Sequence, residues 1–85
     1  MYPPSPVSSG PARVAAELTR QLTRSGITGI YTATTEKFAV ISVTAGLTVW
    51  TDGHQLWCNY QGQRRTWPAA DPAAAAAGIA ALARP

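Results

Sequence analysis

The chain is short of almost every residue type that carries chemistry: among 85 residues there are one cysteine, one histidine and four acidic groups, with Lys37 the only lysine. A single thiol, Cys58, cannot close an internal disulfide, which excludes the small secreted scaffolds stapled by several bridges and fits a reducing compartment, the cytoplasm. A tetrahedral metal site takes about four ligands, usually clustered Cys and His. With one of each, no metal site is expected. Long apolar runs are also missing. The stretch from Ala73 to Ala83 is too short and too weakly apolar to span a bilayer, which needs about 20 residues, and MYPPSPVSSG lacks the charged region and apolar stretch of a signal peptide. No membrane association is expected. No segment spells GxGxxG or GxxxxGK[ST] between a strand and a helix, so no phosphate-bearing cofactor is expected.

Charged residues make up 13% of the chain against 46% hydrophobic, which is too apolar for a disordered protein and leaves much neutral surface. A formal charge of +3 admits a polyanionic partner. A dedicated nucleic-acid binder concentrates its Lys and Arg in one stripe, for which Arg13, Arg20 and Arg24 on one side of the first helix, with Arg64 and Arg65, are the candidates. A net charge this small is a weak signal, and no such binding is expected. The four carboxylates are Glu17, Glu36, Asp52 and Asp71. Glu17 suits a helix-surface ion pair, Asp52 a turn and Asp71 a helix cap, so only Glu36 lacks a structural task. His54 follows the Asp52-Gly53 turn and lies four residues from Cys58, roughly 13 Å along a strand, too far for a dyad. No nucleophile, base and orienting group can be assembled, so no catalytic residue is assigned and no enzymatic activity is expected.

Residues 1–9 contain three prolines and three serines and are expected to form a disordered tail ahead of a single α+β domain over 10–85. Tyr2-Pro3-Pro4-Ser5-Pro6 has the composition of a polyproline segment able to dock in an aromatic groove; a frayed terminus is the simpler expectation. A first helix is predicted from near Pro11, capped by Gly10 or Ser9, to Ser25, with Gly26 in the left-handed position. Val14, Ala15, Leu18 and Leu22 form its apolar stripe, and Leu22 and Ile27 are spaced for the hydrophobic contact of a Schellman motif. A second helix opens with Asp71 as cap and Pro72 at the first helical position and runs to Arg84, offering only Ile79 and Leu82 as large apolar groups.

Between the helices, Phe38 to Val43, Leu47 to Thr51, Gln55 to Tyr60 and Gln63 to Trp67 alternate with Ala45-Gly46, Asp52-Gly53 and Gln61-Gly62, which predicts an antiparallel meander of three to four strands. Ile27 to Glu36, broken by Gly29, is balanced between an edge strand and an extended connection. Two-residue turns at Asp52-Gly53 and Gln61-Gly62 would pair Val49 with Leu56, Trp50 with Gln55, Leu56 with Trp67 and Trp57 with Thr66. Leu47, Val49, Leu56, Cys58, Tyr60 and Trp67 then share one face. Thr48, Trp50, Gln55, Trp57, Asn59, Arg64 and Thr66 share the other, with the two tryptophans as diagonal neighbours. Either Ile41 and Val43 or Phe38 and Val40 join that second face, according to the length of the Ala45-Gly46 connection.

Two short helices cover one face of such a sheet, and a sheet face that stays apolar needs a partner layer, unless the segment Ile27 to Thr35, with Tyr31, or the second helix crosses to that side. Trp50, Trp57, Arg64, Thr48, Asn59 and Thr66 are therefore the candidate binding surface, Trp and Arg being enriched at protein interfaces. The expected function is a non-enzymatic interaction module, a homodimer or adaptor, whose partner is itself or another protein. The alternative is a nucleic-acid binder that stacks bases on the indoles beside Arg64. The order helix, antiparallel strands, helix is similar to that of the double-stranded RNA-binding domain. That family opens its second helix with a lysine cluster, whereas this chain reads Asp71-Pro72-Ala73-Ala74-Ala75, so the likeness is one of topology alone.

Overall fold

The structure, a computed structural model, describes residues 10–44 and 46–83. The expected tail 1–9, Ala45, Arg84 and Pro85 lie outside the described residues. The chain forms α1 (Gly10–Arg24), then five strands, β1 (Tyr31–Thr34), β2 (Ala39–Thr44), β3 (Leu47–Thr51), β4 (Gln55–Tyr60) and β5 (Gln63–Pro68), and closes with α2 (Pro72–Ala83). The strands pair antiparallel in the order β1-β2-β3-β4-β5. The α+β meander between two helices is as expected, with five strands rather than three to four. The added member is Tyr31–Thr34, whose Thr-rich alternation is compatible with an exposed edge.

Both helices are terminated by the residues that physical chemistry favours there. At the end of α1, Gly26 adopts φ +95°, its N–H bonds the carbonyl of Thr23 at 3.0 Å, and the N–H of Ile27 bonds that of Leu22 at 3.1 Å. This is the Schellman pair of bonds, and its hydrophobic partners Leu22 and Ile27 both join the core. At the start of α2, the carboxylate of Asp71 accepts the N–H of Ala74 at 3.1 Å. On the exposed side of α1, Glu17 pairs with Arg20 and accepts a bond from Gln21 Nε2 at 3.0 Å.

The β2–β3 register contains a bulge that decides which residues face the helices. Thr44 pairs with Leu47 next to the turn, yet Ser42 pairs with Thr48 and Ile41 with Val49, so Val43 is an extra residue on its strand. The one-residue shift turns both Ile41 and Val43 toward the helices, where they are buried, and leaves Val40 opposite Trp50 on the other side. Of the two arrangements open to the sequence, the one placing Phe38 and Val40 beside the tryptophans is realised.

The β3–β4 register differs from the expectation by two residues. Val49 lies opposite Cys58 rather than Leu56, and Trp50 opposite Trp57 rather than Gln55. A two-residue type I′ turn needs positive φ at both central residues. Gln61 (φ 53°) and Gly62 (φ 78°) satisfy this, and there the expected pairing of Tyr60 with Gln63 holds. At the other turn only Gly53 has positive φ. Side chains instead fix a longer connection over Asp52, Gly53, His54 and Gln55. The Asp52 carboxylate accepts the N–H groups of His54 (2.8 Å) and Gln55 (3.0 Å), while the buried Thr51 hydroxyl donates to the Gln55 carbonyl (2.7 Å) and accepts the Gly53 N–H (3.0 Å). Because side chains alternate with period two, a two-residue slip exchanges partners without exchanging faces.

One core results. Leu18 and Leu22 of α1 and Ala75, Ala76 and Ile79 of α2 pack with Ile41, Val43, Leu47, Val49, Leu56 and Cys58 on a single side of the sheet. α1 lies over β2 and reaches β1 and β3, α2 lies over β5, and the helices pack against one another. The Ala-rich α2 comes close enough that a Cβ at Gly78 would stand 2.8 Å from Cζ2 and 2.9 Å from Nε1 of Trp67.

Gly78→Ala therefore sets about 1 kcal/mol of helix propensity against an overpacking penalty of about 1–3 kcal/mol. The variant is expected to be less stable in urea denaturation, and a gain would show that Trp67 yields freely. At the turn, the N–H groups of Gln55 and then His54 hold the Asp52 carboxyl below its ordinary value of 3.8. A depressed folded-state pKa contributes stability that is complete above the unfolded value and is lost as pH falls through the folded one. Asp52→Asn should thus flatten the acid limb of the melting temperature against pH; an unchanged limb would remove the carboxylate from that role.

Candidate functional site

Alternation about the buried residues Val49, Thr51, Leu56 and Cys58 sends Trp50 and Trp57 to the side of the sheet away from the helices. They form the middle of one cross-strand row, since Ala33 pairs with Val40, Val40 with Trp50, Trp50 with Trp57 and Trp57 with Thr66. The row crosses all five strands, roughly 19 Å at the usual interstrand spacing. The tryptophans are direct partners rather than diagonal neighbours. This shields part of each ring, so both are half-buried although neither belongs to the core. Tyr31, opposite Ser42, and Phe38, two residues before Val40, lie on the same side and are the large apolar residues most open to water, at 70% and 48% exposure.

Of the residues expected at the surface, Trp50, Trp57, Thr48, Asn59, Arg64 and Thr66 all fall on this face. Asn59 pairs with Arg64, and the Arg64 guanidinium carbon lies 5.7 Å from the centre of a Trp57 ring, within cation–π range. Sequence reasoning brought Tyr31 to this side only through the alternative in which Ile27 to Thr35 crosses to it, and missed Ala33. The usable signal was the period-two alternation of Tyr31, Ala33 and Thr32, Thr34, obscured by the short strand and by Gly29.

The basic groups are dispersed. Arg13, Arg20 and Arg24 ride on α1, Arg65 pairs with Cys58 on the helix side, and among the described arginines only Arg64 stands on the aromatic face. Arg20 is moreover engaged by Glu17. His54 is exposed at the end of the sheet while Cys58 is sealed in the core, where burial pushes its thiol pKa up against a smaller opposing effect of Arg65. Among the described residues no three of His, Cys, Asp and Glu cluster as a metal would require.

Two open grooves flank the Asp52-Gly53 connection. One, of about 370 Å³, is bordered by Gly10, Arg13, Gly53, Ala69 and Pro72. The other, of about 460 Å³, is lined by His54, Gln55, Thr66, Trp67 and Pro68, and so runs up to the strand neighbours of Trp57. Among the described residues, no helix is long and apolar enough to cross a membrane. No family model, curated protein or solved structure matches this chain.

Cys58 should resist a water-soluble disulfide reagent at pH 8 and react at the rate of global unfolding, with both denaturant and time course as readouts. Rapid modification of the native chain would place the thiol at an accessible surface instead.

Proposed function

We propose that this chain is a non-enzymatic protein-interaction module that buries its aromatic sheet face against another protein surface, a second copy of itself being the first candidate. The observation that carries this reading is the Ala33, Val40, Trp50, Trp57 row on a sheet side that neither helix covers. A one-sided sheet with an apolar outer row gains by acquiring a second layer, and two such sheets can pack face to face about 10 Å apart. Trp50 and Trp57 would supply the centre of the contact and Thr48, Asn59, Arg64 and Thr66 its polar rim. Nucleic-acid binding is the second reading, favoured by Arg64 over Trp57, a cation beside a stacking surface. The dispersal of the remaining arginines weighs against it.

Replacing Trp50 and Trp57 together by Thr keeps strand-forming residues at both sites and leaves the core side intact. The double variant is expected to stay folded by circular dichroism and to lose self-association in sedimentation at rising concentration. Core aromatic substitutions cost about 3–5 kcal/mol each, so an unfolded double variant would return the indoles to a structural role. A wild-type chain that is monomeric at every concentration would remove the homodimer. Tight binding of a single-stranded probe at about 150 mM salt, falling steeply with added salt and lost in Arg64→Ala, would promote the second reading.

A further inference from the structure

Resting on the reading of the aromatic face as a recognition surface, we infer that its partner is a second copy of this chain, seated face to face about a two-fold axis that runs parallel to the strands over β3, so that Tyr31 of each copy meets Arg64 of the other. Two rows of side chains carry this. The first is Ala33, Val40, Trp50, Trp57 and Thr66. The second lies beside it, two residues along each strand. Tyr31 pairs with Ser42, Ser42 with Thr48 and Asn59 with Arg64, while Thr48 stands level with Asn59, one step beyond the pair Val49 and Cys58. From β1 to β5 this row reads Tyr31, Ser42, Thr48, Asn59, Arg64, with an aromatic ring at one edge of the sheet and a cation at the other. Tyr31 is the more exposed of the two large apolar residues open to water.

A two-fold axis over the middle strand of five lays each row, reversed, against itself. β1 then lies across from β5 of the second copy, β2 from its β4 and β3 from its β3. In the second row Tyr31 falls opposite Arg64, Ser42 opposite Asn59 and Thr48 opposite Thr48, which sets ring against cation, hydroxyl against amide and hydroxyl against hydroxyl. In the first row Val40 falls opposite Trp57 and Ala33 opposite Thr66, and the two Trp50 side chains meet at the axis, where indoles stack offset. Arg64 already lies 5.7 Å from the centre of a Trp57 ring. A guanidinium is planar with two faces, and the second is left for the tyrosine of the other copy. Aligned sheets pack about 10 Å apart and cross at about 30°, which displaces residues on the outer strands, about 10 Å from the axis, by about 5 Å. Tyr31 and Arg64 are the longest side chains that β1 and β5 place on this face, and so are suited to bridge that offset.

Other axes lose these matches. One laid across the strands along the tryptophan row sets Arg64 against Pro68 and Asn59 against Gln55, because Gln55 and Pro68 pair two residues beyond Trp57 and Thr66. One moved to lie between β3 and β4 leaves β1, and Tyr31 with it, opposite no strand. A face that complements itself about its middle strand has the property that an isologous contact requires.

Exchange of charge between copies, read by sedimentation of the full chain, tests the arrangement. Each contact occurs twice about a two-fold axis, so Arg64→Glu and Tyr31→Lys should each weaken self-association at least about tenfold. An equimolar mixture of the two should associate at least about tenfold more tightly than either alone, since one Tyr31–Arg64 contact is regained and the other becomes a Lys–Glu ion pair. Thr48, at the axis, gives an independent pair. Thr48→Lys and Thr48→Glu should each weaken association by setting like charges against each other, and their mixture should restore it, which keeps the test open if a variant at Tyr31 or Arg64 does not fold by circular dichroism. Mixtures no tighter than their components would overturn the arrangement. If changing Trp50 and Trp57 to Thr still abolished association in that case, the face would stand as the interface and only the axis would fall. A wild-type chain that is monomeric at every concentration would also overturn the inference, and would leave the face to a partner of another kind.

Discussion

Leu18 and Leu22 from α1 and Ile79 from α2 leave water on one side of a five-stranded sheet, where they meet Ile41, Leu47, Val49 and Leu56, all fully buried. Each such side chain contributes about 1.5–3 kcal/mol on burial, and the helices have few others to offer. The exposed side of α1 is polar, α2 is mostly alanine, and both helices are consumed by this one contact. The opposite face of the sheet is left to the sheet's own side chains. Trp50 and Trp57 shield one another and Arg64 lies over Trp57, which explains why the indoles are half-buried without touching the core. Tyr31 and Phe38 have no such cover.

The two local devices that set the faces act by different means. The Val43 bulge inserts one residue and so reverses the orientation of everything on the far side of it, gathering Ile41 and Val43 into the core and sending Val40 outward. The Asp52-Gly53 connection inserts two and so reverses nothing, but it moves Trp57 from a diagonal to a direct partner of Trp50. The paired indoles follow from the second device, and the placement of Val40 beside them from the first. Had either device been different, the sheet would carry the same residues without the continuous row from Ala33 to Thr66.

The end of the sheet at Gly53 is where the remaining features converge. α1 begins there, Pro11 is buried against the turn, and the His54 carbonyl accepts the N–H of Ala69 at 2.9 Å, tying the β5–α2 connection to the same corner. Gly53 serves this corner twice, by its φ of +96° and by leaving room for Gly10 and Pro11. Gly10 and Gly53 border one groove beside this corner, and His54, Gln55 and Thr66 line the other.

Much of the architecture was legible in the chain itself, because local chemistry dictates it. Gly26 with Leu22 and Ile27 ends α1, Asp71-Pro72 starts α2, Gln61-Gly62 makes a tight hairpin, and period-two alternation assigns Trp50, Trp57 and Arg64 to one face whatever the partners. The rest needed tertiary structure. Whether Tyr31–Thr34 forms a strand depends on an edge being available to pair with. Whether Ile41 or Val40 faces the helices depends on a bulge stabilised by the burial it achieves. The partner of Trp50 depends on the Thr51 and Asp52 side chains outcompeting a tight turn for the backbone N–H groups of Gly53, His54 and Gln55, a balance that composition and spacing do not encode.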